Sequence, residues 1–142
     1  MRRLGLICLL FVNLFLEGTT IQAQNTFPSE KGERVRYNAY IEMPRVYLSG
    51  VSIIMNDDGI IKGTLFNEFG VTAIEFMYLP SKNKVKIMHV VKMLDKWYIK
   101  RVMRKDLAQL MCHLQMGDTE YQNSKQNIKY IFKPIEENEF SQ

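Results

Sequence analysis

The 142-residue chain carries 19 Lys and Arg against 15 Asp and Glu, and 46% of it is hydrophobic. That balance excludes a disordered chain, which cannot bury enough apolar surface to fold. Two cysteines exclude a disulfide-dense scaffold.

The chain opens Met1-Arg2-Arg3 and continues in an apolar run from Leu4 to Leu16. Thirteen helical residues rise only ~20 Å, short of a ~30 Å hydrocarbon core, which suits the apolar region of a signal peptide. Ile21-Gln22-Ala23 offers a small-residue exit, so residues 1–23 read as a cleavable signal peptide. Arg2-Arg3 is its basic start, and Cys8 sits too early in the apolar run to be a lipid-bearing cysteine. The protein is therefore expected to be exported and soluble, in the periplasm of a Gram-negative envelope. Residues 1–23 hold Arg2, Arg3 and Glu17, which leaves 17 Lys and Arg against 14 Asp and Glu, a net charge of +3. So small an excess does not point to nucleic acid. Cys112 is the one cysteine of the expected mature chain, so no intrachain disulfide is expected there.

Residues 24–34 are polar, with Pro28 and Gly32, and are expected to form a flexible leader before a single domain over residues 35–135. Within that domain, alternation with period two marks half-buried strands. Val35, Tyr37, Ala39, Ile41 and Met43 alternate with polar neighbours. Gly50 to Met55 gives a second strand, with Val51, Ile53 and Met55 sharing a face. Asn56-Asp57-Asp58-Gly59 is a hairpin turn, because Asp-Gly tolerates positive φ. Ile60 to Asn67, Val71 to Tyr78 and Lys84 to Val91 follow as strands. Ile61 and Leu65, then Ile74, Phe76 and Tyr78, then Val85, Ile87, His89 and Val91 are expected inward.

The period then lengthens. Between Asp95 and Leu114, Ile99, Met103, Leu107, Leu110, Met111 and Leu114 form one helical stripe. Asp95 is the expected N-cap and Gly117 the stop, with a break expected near Arg104 to Asp106, where the stripe is thinnest. A last hairpin pairs Thr119–Gln122 with Ile128–Pro134, and residues 136–142 form a frayed acidic tail. Antiparallel strands covered by one amphipathic helix make an α+β layer.

Chemistry is sparse. Cys112 and His113 are neighbours on a helix and point ~100° apart, so a dyad would need His89. Two His and one Cys with no ligand spacing give no metal site, and no phosphate loop or nucleophile elbow is present. No catalytic residue, metal or cofactor is expected. Charge is the one asymmetry: nine cations lie between Lys82 and Lys105, with Asp95 the only acid. Lys84, Lys86, Lys96, Arg101, Arg104 and Lys105 are the candidate contact face for anionic lipid or an acidic partner.

Leu48-Ser49-Gly50, the Asp-Gly hairpin, Leu65-Phe66-Asn67-Glu68-Phe69-Gly70-Val71, Lys96-Trp97-Tyr98-Ile99 and Lys105-Asp106-Leu107 together resemble small exported proteins of Bacteroidetes-type bacteria. More remotely they resemble the lipoprotein chaperone and acceptor superfamily (LolA/LolB-like). The resemblance implies a curved, half-barrel-like antiparallel sheet covered by one main helix, and a carrier of a lipid or lipidated protein. The ligand-binding face expected on that reading comprises Ile53, Met55, Ile61, Leu65, Ile74, Phe76 and Tyr78, covered by Met103 and Leu107. The alternative is a non-enzymatic envelope module that docks through its basic face.

Overall fold

The computed structural model describes residues 25–136. The signal-peptide reading and all of the tail reading but Glu136 lie outside the described residues. Seven strands follow: β1 (Arg34–Glu42), β2 (Tyr47–Asp57), β3 (Ile60–Asn67), β4 (Thr72–Leu79), β5 (Lys84–Val90), β6 (Glu120–Asn123) and β7 (Ile128–Pro134). A 3-10 turn at Lys92–Leu94 leads into helix α1 (Trp97–Gln115). The strands form one antiparallel sheet in the order β5-β4-β3-β2-β1-β7-β6.

The fold is α+β, and its sheet curls into a half-barrel. Helix α1 packs chiefly against β5 and β6, the two edge strands, so curling brings both sheet edges to one helix. Met103, Leu110, Met111 and Leu114 are fully buried on it, opposite Tyr37, Ile41, Ile54, Ile61 and Tyr130 of the sheet. Each such side chain contributes roughly 1.5–3 kcal/mol by leaving water.

Tight turns fix the register. Asp57 pairs with Ile60, leaving Asp58 and Gly59 as a two-residue turn with φ of 52° and 91°. Both angles lie in the region that two-residue hairpin turns require. At its far end α1 stops as expected: Gly117, at φ 87°, donates to the Leu114 carbonyl and Asp118 donates to that of His113. That pair of bonds satisfies carbonyls the helix leaves open.

Four expectations are corrected. Ile53 and Met55 point to the outer face, and Ile54 to the core. The inward positions of β2 include Ser52 and Asn56, whose polarity disguised the buried face. Ser52 Oγ donates to the Thr64 carbonyl (3.0 Å). Asn56 Nδ2 donates to the carbonyls of Pro28 (3.0 Å) and Ser29 (3.2 Å), while its Oδ1 accepts from Gly59 N (2.8 Å). The second correction lies in β5. Phe76 pairs with Ile87 and Glu75 with His89, so Met88 is an extra residue that turns His89 outward.

The third is the leader, which is pinned rather than loose. Phe27 is buried, Thr26 Oγ1 donates to the Leu114 carbonyl (2.6 Å), and Tyr37 Oη donates to the Thr26 carbonyl (2.7 Å). Lastly, α1 has no break at Arg104 to Asp106, and Lys96 rather than Asp95 is its N-cap. Asp95 instead pairs with Lys100 (2.8 Å), whose hydrogen bond and charge hold its carboxyl below the usual range.

Gly50 pairs with Asn67 near the end of β3, opposite the bulge in β4. A Cβ there would stand 1.7 Å from the Phe66 carbonyl oxygen, which is backbone and cannot swing aside. Gly50→Ala is expected to destabilise by at least ~1–3 kcal/mol in urea unfolding. Gly59→Ala meets open space and is expected to cost only its left-handed strain, ~1 kcal/mol.

Candidate functional site

The expected ligand face divides in two. Ile61, Leu65, Ile74, Phe76 and Tyr78 of the sheet, with Met103 and Leu107 of α1, come together and are 0–2% exposed. They form the core, with α1 lying over them. Ile53 and Met55 are half-buried on the opposite face. The basic residues also spread apart. Lys84 begins β5 and Lys86 lies at its middle, while Lys96 and Arg101 stand at the start of α1 and Arg104 and Lys105 on its exposed side.

Polar chemistry concentrates at three nodes, each joining α1 to a neighbouring strand or turn. Cys112 meets Tyr78 Oη (3.8 Å) and Asn83 Oδ1 (3.4 Å), and the Tyr78 phenol is pushed up to about 12, chiefly by burial. His113 Nδ1 lies 3.0 Å from Asp118 Oδ2 and 2.9 Å from the Glu120 carbonyl, with its ring edge-on to Tyr121. The helix therefore sends Cys112 and His113 to different neighbours, as their adjacency implied. Among the described residues no group of three or more His, Cys, Asp or Glu is placed to hold a metal.

The third node is Asp106, which stands among the apolar residues of the helical stripe. It is buried on α1 and accepts from Tyr130 Oη (2.8 Å) and Asn123 Nδ2 (2.9 Å). Burial raises its pKa, and those two hydrogen bonds oppose the rise only in part. The bonds join the helix to β6 and β7. A carboxylate inside an apolar stripe is the only sequence signal of this site.

The exposed apolar surface is distributed unevenly. Because neighbouring strands are antiparallel, the end of β1, the start of β2, the end of β3, the start of β4 and the end of β5 share one rim. Six exposed large apolar side chains stand there or just beyond: Tyr47, Phe69, Val71, Met93, Trp97 and Tyr98. Phe69 is 88% and Trp97 72% exposed. Phe69 caps the Asn67–Gly70 turn, where Asn67 Oδ1 accepts from the backbone N–H of Phe69 and Val71 and holds the tip out. Trp97 and Tyr98 pack edge-to-face at 5.8 Å. Lys92, Lys96, Lys100 and Arg101 surround them in sequence, and the nearby acid Asp95 is already paired. The sequence signals were a Phe in a Gly turn and a Trp-Tyr pair between lysines.

Tyr130→Phe removes one donor from a buried carboxylate and is expected to cost ~1–3 kcal/mol in urea unfolding. The pH dependence has a definite sign. With its folded pKa above the ordinary 3.8, Asp106 contributes most below that value, and the contribution falls as pH rises through the raised one. The stability of the parent relative to Asp106→Asn is therefore expected to decline upward from about pH 4 and then level off. A relative stability that climbs with pH would contradict this.

The chain matches no family model, no curated protein and no solved structure.

Proposed function

We propose that this is a non-enzymatic docking module of the cell envelope that seats one end of its half-barrel on an anionic lipid surface. The observation that carries the reading is the gathering of six exposed apolar side chains at a single rim. Scattered exposed hydrophobics need no explanation, but a cluster marks an interaction site. Trp and Tyr favour the boundary between headgroups and acyl chains, where an amphipathic ring is partly wet and partly dry. Lysines beside them add attraction to anionic headgroups, about 1 kcal/mol for each cation near the surface. Export, the reading of residues 1–23, would bring the module to such a surface.

Carriage of a lipid inside the half-barrel is the second reading, and the curled sheet with a single covering helix favours it. It requires α1 to leave the sheet, because the inner face is covered. The Asp106 bonds to Tyr130 and Asn123, and the Thr26 bond to the Leu114 carbonyl, oppose that movement.

Trp97 is the one tryptophan, so its emission reports the rim directly. Vesicles of phosphatidylglycerol and phosphatidylcholine are expected to bind the protein and shift the emission to the blue, and pure phosphatidylcholine much less. Lys96→Gln and Arg101→Gln are each expected to weaken co-sedimentation by about fivefold. High salt is expected to release the protein. Equal binding to both vesicle types, or none to either, would overturn the rim reading. Uptake of an apolar dye with no vesicle binding would favour the interior.

A further inference from the structure

The outer face of the sheet, away from α1, carries a second feature that the rim does not explain. A groove of about 650 Å³ crosses it, lined by the half-buried side chains of Ile53, Met55, Phe66 and Met77 and the exposed Met88. That volume falls in the range of small-ligand sites, ~300–1,000 Å³. Three of these side chains are methionines, whose unbranched thioethers repack around a pliable ligand.

The register adds charge to this surface in a regular way. Arg34 pairs with Met55, Met55 with Lys62, Lys62 with Met77 and Met77 with Lys86. Read across five strands, the row alternates cation, methionine, cation, methionine, cation. Lys62 is held by Asp57 (2.7 Å), whereas neither Arg34 nor Lys86 is ion-paired to a described residue. Glu75 is the one acid in the lining. A second copy of the chain seated face to face would bring like-charged rows together, which disfavours that occupant.

From this we propose that the outer groove binds a long-chain carboxylate, with its head on the Arg34 guanidinium and its alkyl chain running across β2 to β5. A guanidinium fork matches a carboxylate through two parallel N–H bonds. Strands lie ~4.8 Å apart, so the path from β1 to β5 spans ~19 Å. With C–C bonds of ~1.5 Å, a zigzag chain of about sixteen carbons fills that length. Lys62 also lines the groove, where its four-carbon stem can add apolar surface while its ammonium stays at Asp57. This inference rests on the groove and its charges, independently of the rim.

Isothermal titration of the full protein with hexadecanoate, below its micelle concentration, tests the proposal. One molecule is expected to bind per chain, with octanoate at least about 100-fold weaker because eight methylenes fewer are buried. Arg34→Gln is expected to weaken hexadecanoate about tenfold and to leave its neutral methyl ester unchanged. Met77→Glu places an anion in the floor, between Lys62 and Lys86, and is expected to abolish binding with little change in urea unfolding. Should that variant fold poorly, Met55→Gln serves the same purpose, with a loss of at least fivefold. Absence of a saturable 1:1 isotherm would overturn the proposal, as would hexadecanoate binding that survives the floor substitutions. So would an equal effect of Arg34→Gln on acid and ester. A parent dimer that Met77→Glu converts to monomer, with no hexadecanoate bound, would assign the face to a second copy instead.

Discussion

A single helix has to cover the inner face of a seven-stranded sheet, and that constraint shapes the rest of the molecule. An open, gently twisted sheet of seven strands would span ~29 Å at ~4.8 Å per step, about three times the ~10 Å width of a helix. Only by curling until β5 and β6 both reach α1 can the sheet keep Ile41, Ile54, Ile61 and Phe132 dry. The curl has local devices behind it. Ala73 and Met88 are extra residues in their ladders, Gly50 permits close approach to the β3 backbone, and Gly63 leaves room for the Phe76 ring above it. Bulges and glycines of this kind bend strands.

The helix that closes the sheet is held by polar contacts as well as by its apolar stripe. Asp106 is bonded from β6 and β7, Tyr78 and Asn83 meet Cys112 from the other edge, and Thr26 ties the entering chain to the helix end. These bonds are directional, so they set the rotation of α1 about its axis, which an apolar stripe leaves loosely defined. They also cost something. Burying the Asp106 carboxyl raises its pKa, and the folded state favours its proton.

Once the inner face is filled, the surfaces left for interaction are the rim and the outer face, and they differ in character. The rim presents aromatic side chains at turn tips and a helix start, beside lysines. The outer face is the back of the curled sheet, a ladder with methionines between cations. An extended planar surface suits the first and a single elongated molecule suits the second. Both arise from residues that a sheet with one buried face has no structural need to make apolar.

Much of the fold was legible in the chain, and for identifiable reasons. Alternation from Val35 to Ile41 placed β1 and its inward face correctly, because each apolar residue there has a polar neighbour. Asp58-Gly59 and Gly117 located a turn and a helix end through backbone angles that few residues adopt. The stripe from Met103 to Leu114 gave the helix and its buried side. What the chain left open is where both faces carry similar residues. In β2, Ile53 and Ile54 are chemically equivalent, and only the pairing of β2 with β1 and β3, together with Asn56 reaching the carbonyls of Pro28 and Ser29, decided which is core. In β5 the extra Met88 broke the alternation without any mark in composition. The polar partners of Asp106 lie 17 and 24 positions away, at Asn123 and Tyr130, and the rim gathers residues from 47 to 98. Such juxtapositions depend on the strand order, which local propensity does not encode, so tertiary structure alone determined the candidate sites.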